Sequence, residues 1–281
     1  MATGLSTYSA VSSLVNDIYN AAEYELTESN LLVRTVKTFG NVMGMAPRKV
    51  SQYDGANPRQ VGEGEDVTPT SLDRSLLATL TPARHADNFL LTDERVSTDP
   101  QDVRADAAQI LGSSFGQYVD TKIAGLFSSL TGGTVGSAGG TITWDNIADA
   151  YSILKDGKVP GPYWCALHPF HWNKLRKVAG SAVVVSAAPQ FQDRLTSDYF
   201  MTSMFGDLYF VITANITKGT AAVGGMYSPM ALAYDERKAF NIRPQRDESR
   251  EAWELNASLW FAYGTWDAAR GVQMIGTAAS A

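Results

Sequence analysis

Cysteine is almost absent from this sequence. The single residue, Cys165, excludes an intrachain disulfide framework and fits a reducing compartment. It sits in an apolar run beside Trp164 and reads as an inert buried thiol, since a nucleophile needs an electropositive, partly open setting. Histidine is scarce too, and only His168 and His171 lie close together. A zinc site there would need a third ligand and normally a general base, yet neither H-E-x-x-H nor a cysteine pair is present. His168 therefore reads as a residue at a helix start and His171 as one on that helix's exposed face. A metal-dependent hydrolase using this pair is the only enzyme that can be constructed.

Basic charge is missing where it would matter for targeting. No Lys or Arg precedes Arg34, so the start carries neither the basic region of a signal peptide nor a basic DNA-binding arm. The formal net charge of −6 argues against general nucleic-acid binding, which needs clustered cations to neutralise phosphates. The longest uncharged runs are rich in Gly, Ser and Thr, so no membrane span is expected. The sequence also lacks G-x-x-x-x-G-K-[ST], a strand-linked G-x-G-x-x-G and G-x-S-x-G. The one glycine-rich acidic stretch, GEGED at 62–66, would repel phosphate rather than cradle it. Asp93-Glu94-Arg95 reads as a solvated or interfacial charge cluster. No catalytic residue, cofactor or metal ligand is assigned.

What is present centres on one stretch, residues 99–127. Asp99 can cap a helix, Pro100 suits its first position and Asp102 favours its dipole. Val103, Ala107, Ile110, Leu111, Phe115, Tyr118, Val119 and Leu126 recur at spacings of three and four, while Arg104, Asp106, Gln109, Gln117 and Asp120 fall away. A helix over 100–127 would run about 42 Å, and its one-sided stripe requires a broad sheet beside it. Gly112 and Gly116 lie one turn apart in its middle, at about 1 kcal/mol each relative to Ala. Either the helix bends there or another backbone passes too close for a Cβ.

Around this spine the chain changes character several times. Residues 1–12 are small and polar, an arm; Leu14, Ile18, Ala21, Ala22 and Leu26 then predict a helix that resumes at Leu31 after a break near 27–30. Residues 52–66, QYDGANPRQVGEGED, cannot anchor themselves in a core and read as the tip of a long projecting β-hairpin. Residues 86–96 predict a strand and a turn. Five glycines in 131–140 predict a flexible connector and a domain boundary. An α/β layer follows over 141–234. It has a helix capped by Thr143, a strand at 163–167, a helix opened by His168-Pro169, an irregular segment at 181–204, and strands at 208–213 and 221–226. Finally Trp253, Leu255, Ala257, Leu259 and Phe261 alternate with Glu254, Asn256, Ser258 and Trp260, a half-buried antiparallel strand. Gly264 and Gly271 are expected to break it, with a last short strand at 272–275. This ribbon is the sheet the spine needs.

In order and spacing these stretches resemble the major capsid proteins of tailed bacteriophages, whose fold was first seen in phage Hong Kong 97. EGEDVTP (63–69) is similar to the family's extended loop, and QYVDTKIAGLF (117–127) to the close of its spine. TWDNIADAYSILKDGKVPGPYWCALHPFHWNKL (143–175) resembles the axial-domain unit, and FGDLYFVIT (205–213) the strand after the capsomer-centre loop. The resemblance implies an α+β phage major capsid fold. Its parts would be an N-terminal arm and helix (1–36), an extended loop (37–85), a peripheral domain (86–130 and 235–281) with spine helix 100–127, and an axial domain (131–234).

It further implies a structural protein that assembles into hexamers and pentamers of an icosahedral head enclosing double-stranded DNA. Expected partners are its own copies, a portal, scaffold or cement proteins, and weak non-specific contact with the packaged DNA, with no membrane. Residence would be in the virion after assembly in the host bacterial cytoplasm. A nanocompartment shell of the encapsulin type shares the fold and is the alternative. No long acidic helical segment precedes the arm, so a separate scaffold or none is expected. Glu63, Glu65 and Asp66 at the loop tip are expected to meet a neighbour's Arg243, Arg246 or Arg250, or Arg95 or Arg104. Asp193 and Arg194 are expected to pair around the capsomer centre.

Overall fold

The structure, a computed structural model, describes residues 31–40, 44–53, 60, 62–64, 66, 74–98, 103–179 and 206–279. A 3-10 turn at Leu32–Thr35 leads into β1 (Lys37–Phe39). The antiparallel hairpin β2 (Arg48–Tyr53) and β3 (Arg74–Leu80) follows, then β4 (Ala83–Thr92). After β4 the chain makes a short helix, α1 (Asp93–Thr98), where the sequence predicts a turn. The spine, α2, spans Val103–Gly125, and its last predicted turn tightens into a 3-10 turn at Leu126–Ser129. The predicted start and cap at 99–102 lie outside the described residues.

The spine packs on a sheet, as its stripe requires. Beyond the α/β layer the chain returns as β9 (Leu232–Asp247) and β10 (Ala252–Thr265), and the sheet order is β1-β9-β10-β4, antiparallel except for β1 against β9. The period of two in β10 holds: Leu255, Ala257, Leu259 and Phe261 are buried beneath α2, joined by Phe240 and Ile242 of β9. Each of the leucine, isoleucine and phenylalanine side chains contributes about 1.5–3 kcal/mol by leaving water. Phe115 meets Phe240 edge-on at 5.2 Å between ring centroids.

The buried stripe of α2 differs from the one predicted. Its axis is the four-residue row Ala107, Leu111, Phe115, Val119, Ile123 and Phe127. The adjoining row, Ala108, Gly112, Gly116, Asp120 and Ala124, is buried as well. Ile110 and Tyr118 fall on the opposite flank and are 53% and 39% exposed. The sequence could not choose the flank, because apolar residues occupy one side and small ones the other. Gly264 does not break β10; a Cβ there would come 2.7 Å from Leu80 Cδ2 of the hairpin.

A second sheet holds the α/β layer. Its order is β5 (Gly133–Gly136), β11 (Gly271–Gly276), β8 (Ala222–Tyr227), β6 (Tyr163–Leu167) and β7 (Leu208–Ile212). Helices α3 (Trp144–Asp156) and α4 (Pro169–Ala179) cover it, with Ile147, Leu154, Trp172 and Leu175 in one cluster with Phe210, Met226 and Met274. Thr143 caps α3 through a capping box with Asn146. Two expectations change here. The last strand, predicted beside the spine, lies in this second sheet between β5 and β8. The glycine stretch is no loose connector, because β5 pairs with β11 along it. Its glycines answer close approach: a Cβ on Gly132 would meet the carbonyls of Ala269 and Gly271, and one on Gly136 (φ +83°) that of Ile275.

Candidate functional site: assembly surfaces

The hairpin β2–β3 joins neither larger sheet, so what holds it matters. Val50 and Leu80 bury themselves against Ala233 and Ala262 at its root, with Phe39, Ala78 and Trp266 packed around them. Beneath this small core lies Asp235, fully buried. Arg48 Nε of the hairpin donates to its Oδ2 at 2.8 Å, and Arg237 Nη2 reaches the same oxygen at 2.8 Å. Arg237 Nη1 also donates to the Gly44 carbonyl at 3.1 Å. The Arg48 guanidinium stands 4.5 Å from the Phe39 ring centre, and Phe39 stacks on Trp266 at 4.9 Å. Leu76 and Leu77 of β3, at a register shift in the ladder, are 59% and 41% exposed, so their own subunit leaves both largely uncovered.

At the tip Glu63 and Asp66 are exposed, and Glu65 lies outside the described residues. Of their expected partners, two are engaged at home. Arg246 clasps Asp93 with both Nη atoms, at 2.9 and 2.7 Å, and Arg250 pairs with Asp247 at 3.6 Å. The Asp93-Glu94-Arg95 cluster thus serves in part as a tie between α1 and β9. Arg95 is exposed, and the Arg104 side chain lies outside the described residues. Arg243 opens instead into a cleft on the sheet face turned away from the spine, with Arg84, Lys238, Asn241, Asn256 and Trp260. Lys238 Nζ stands 5.4 Å from the Trp260 ring centre. Among the described residues no carboxylate forms an ion pair with Arg84, Lys238 or Arg243.

A third feature was missed from sequence. Asp120, predicted off the stripe, is fully buried, and it accepts the backbone N–H groups of Leu31 (3.0 Å) and Leu32 (3.1 Å). It thereby caps a 3-10 turn 88 residues away, which has no side-chain cap of its own. The Asn215 side chain also reaches it. Thr35 Oγ1 bonds Tyr227 Oη at 2.7 Å, so the turn is fixed to β8 as well. Burial pushes the Asp120 pKa up to about 6, against the hydrogen bonds that favour the charged form. The signal in the sequence was an acid in register with Ala108, Gly112 and Gly116; the amides it would cap could not be read.

The remaining candidates fall out as follows. His171 is not on an exposed face: it is fully buried, with its ring centre 6.2 Å from that of His168. Burial pushes its pKa down to about 4, against a weaker pull from the Gly276 backbone. His168 does sit at the helix start, where its Nδ1 accepts the Phe170 N–H at 3.1 Å. Among the described residues no three His, Cys, Asp or Glu gather as a metal-binding group. Cys165 is buried with Sγ 3.7 Å from Met274 Sδ, and burial pushes its thiol pKa up. Asp193 and Arg194 lie outside the described residues.

Comparison with known proteins places this geometry. A family model described as phage capsid protein matches residues 77–275. No relative among curated proteins matches the chain. Among solved structures, that of Mycobacterium phage Che8 is 15% identical with a TM-score of 0.66, covering 81% of this chain and 84% of that one. The capsid structure of cyanophage P-SCSP1u is 10% identical with a TM-score of 0.68, covering 87% of each. A virus-like particle from Pyrococcus furiosus is 10% identical with a TM-score of 0.64, covering 92% of this chain and 98% of that one. At such identities the structures speak for the fold.

Proposed function

This chain belongs to the phage capsid protein family and is a structural protein of the virion, and from that premise we infer that its copies close into an icosahedral head of hexamers and pentamers around double-stranded DNA. The observation that carries the reading is the hairpin, tied to its subunit at the root while Leu76 and Leu77 of β3 stand exposed beyond it. Such an element has its stability in contacts with another copy. A cargo-enclosing compartment would share the fold, and the family match favours the phage head over it. Portal, scaffold or cement proteins complete the particle, built in the bacterial cytoplasm, with the DNA held loosely. Within each subunit the spine and its sheet form the peripheral domain. The α/β layer forms the axial domain, whose segment 181–204, with Asp193 and Arg194, lines the capsomer centre.

Expression of the full chain, with scaffold if required, is expected to give closed shells by electron microscopy and a fast-sedimenting species. Deleting the loop tip, residues 52–68, is expected to leave folded subunits that assemble poorly. A compact monomer at high concentration under all conditions would sink the reading.

Gly112 and Gly116 bear on the same subunit. The row they share with Ala108, Asp120 and Ala124 is buried, and α2 runs through them unbroken, which supports close packing over bending. The double change Gly112→Ala and Gly116→Ala would gain about 2 kcal/mol from helix propensity alone. We expect the opposite: lower solubility or no assembly, read by thermal melting and microscopy. Normal precursor shells that only fail to expand would restore the bending reading.

A further inference from the structure

We infer that the outer edge of β4 pairs antiparallel with the same edge of a second copy, across a two-fold axis at Ala86, so that two spine sheets continue into one. The inference rests on the proposed shell-forming function: rings of subunits close into a shell only where further contacts join ring to ring, and this edge is such a contact. All ten residues of β4 pair with β10, and among the described residues nothing pairs with its other side. Long free edges are normally blunted by shortness, lysine, proline or a bulge. The opposite edge of this sheet, β1, has only three residues. By contrast, Ala83–Thr92 contains neither Lys nor Pro, and its register with β10 runs without a shift. Its two charges, Arg84 and Asp87, are opposite in sign, and neither forms an ion pair among the described residues.

The strand is complementary to itself. Arg84, Ala86 and Asn88 lie opposite Trp260, Ser258 and Asn256, on the face turned away from the spine. His85, Asp87 and Phe89 lie opposite Leu259, Ala257 and Leu255, on the spine's face. A two-fold axis perpendicular to the sheet keeps each side chain on its own face, as an isologous contact requires. With the axis at Ala86, Arg84 meets Asn88, His85 meets Asp87 and Ala83 meets Phe89, each twice, and two methyl groups meet at the centre. Moving the axis by one residue would set His85 on His85 or Asp87 on Asp87, and like charges directly opposite are destabilising. The exposed apolar side chains of this rim gain cover in the same arrangement. Leu90, 43% exposed, comes beside Pro82 of the second copy. On the spine's flank above the edge stand Ile110 and Tyr118, and Tyr118 Oη holds His85 Nδ1 at 3.0 Å.

The test uses single cysteines in the full chain, whose own Cys165 is buried. Residues directly opposite in an antiparallel pair have Cα atoms about 4.5–5.5 Å apart, within the span of a disulfide. Only a residue on the axis meets its own copy, so Ala86→Cys is expected to give disulfide-linked dimers on a non-reducing gel. Asn88→Cys, exposed on the same strand, should stay monomeric on that gel, and Arg84→Cys with Asn88→Cys should link again. Separately, Ala86→Lys alters an exposed position and is expected to keep the melting temperature of the subunit, but to leave free rings in place of closed shells. Ala86→Glu should do the same, and an equimolar mixture of the two should recover association. Shells of wild-type yield from Ala86→Lys would overturn the inference. So would Ala86→Cys linking no better than Asn88→Cys, which would assign the edge to a different segment of this chain or to a heterologous contact. If the wild-type chain forms no shells, the proposed function fails, and the cysteine variants still decide the contact in solution.

Discussion

Replacing Asp235 with Ala will loosen the hairpin from its subunit and cost about 3–5 kcal/mol of stability, the range for breaking a buried ion pair from one side. One carboxylate there serves two guanidiniums: Arg48 of the hairpin at 2.8 Å and Arg237 at 2.8 Å. Remove it and Arg237, whose side chain is 2% exposed, becomes a buried cation without a counter-charge. Arg48 is different, with 24% of its side chain exposed. Arg48→Met keeps the packing against Phe39 and leaves Asp235 its second partner, so it should cost only about 1–2 kcal/mol, a lost charged hydrogen bond. Asp235→Asn keeps the shape but not the charge and should fall nearer the Ala variant. Urea unfolding of unassembled subunits reads these differences, and a double-mutant cycle isolates the Arg48–Asp235 coupling. Equal costs for Arg48→Met and Asp235→Ala would mean that the carboxylate acts through the hairpin alone.

The sequence and the structure agree where periodicity is strong and part where a distant partner decides. The alternation from Leu255 to Phe261 specified its own sheet face, because a one-residue slip would expose every apolar side chain. Thr143 and Asn146 announced the start of α3 because both halves of a capping box are local. By contrast, Asp235 was one acid among many in a charged ribbon; its burial depends on Arg48, 187 residues earlier. The glycines at 132–136 read as flexibility since composition cannot tell a loose chain from one pressed against β11 and its approach. Arg246 looked available for a neighbour until α1 brought Asp93 to it. The basic cleft was half visible: Arg243 stood out in the ribbon, but Arg84 joins it only through the pairing of β4 with β10.

Asp120 and His171 are expected to make this subunit's stability nearly insensitive to pH in the range where each alone would make it steep. His171 is fully buried with its pKa lowered from 6.5 to about 4. The unfolded chain therefore takes the proton first, and the His171 contribution is full above 6.5 and lost as pH falls to about 4. Asp120 is fully buried with its pKa raised from 3.8 to about 6. Here the folded chain holds the proton more tightly, so the contribution is present below 3.8 and lost as pH rises through about 6. At about 1.4 kcal/mol per unit, each amounts to roughly 3 kcal/mol, opposite in sign over almost the same window. The pair cancels. Asp120→Asn removes this titrating group, and its amide, with one acceptor oxygen, forfeits one of the two bonds the carboxylate accepts from the Leu31 and Leu32 N–H groups. It should also expose His171, so that the urea midpoint falls steadily from pH 6.5 to 4. His171→Phe should do the reverse, leaving a subunit that gains stability over the same acidification. The double variant should be flat again, at a lower level. Single variants that both keep the wild-type pH profile would show that neither group titrates within the folded subunit as its burial requires.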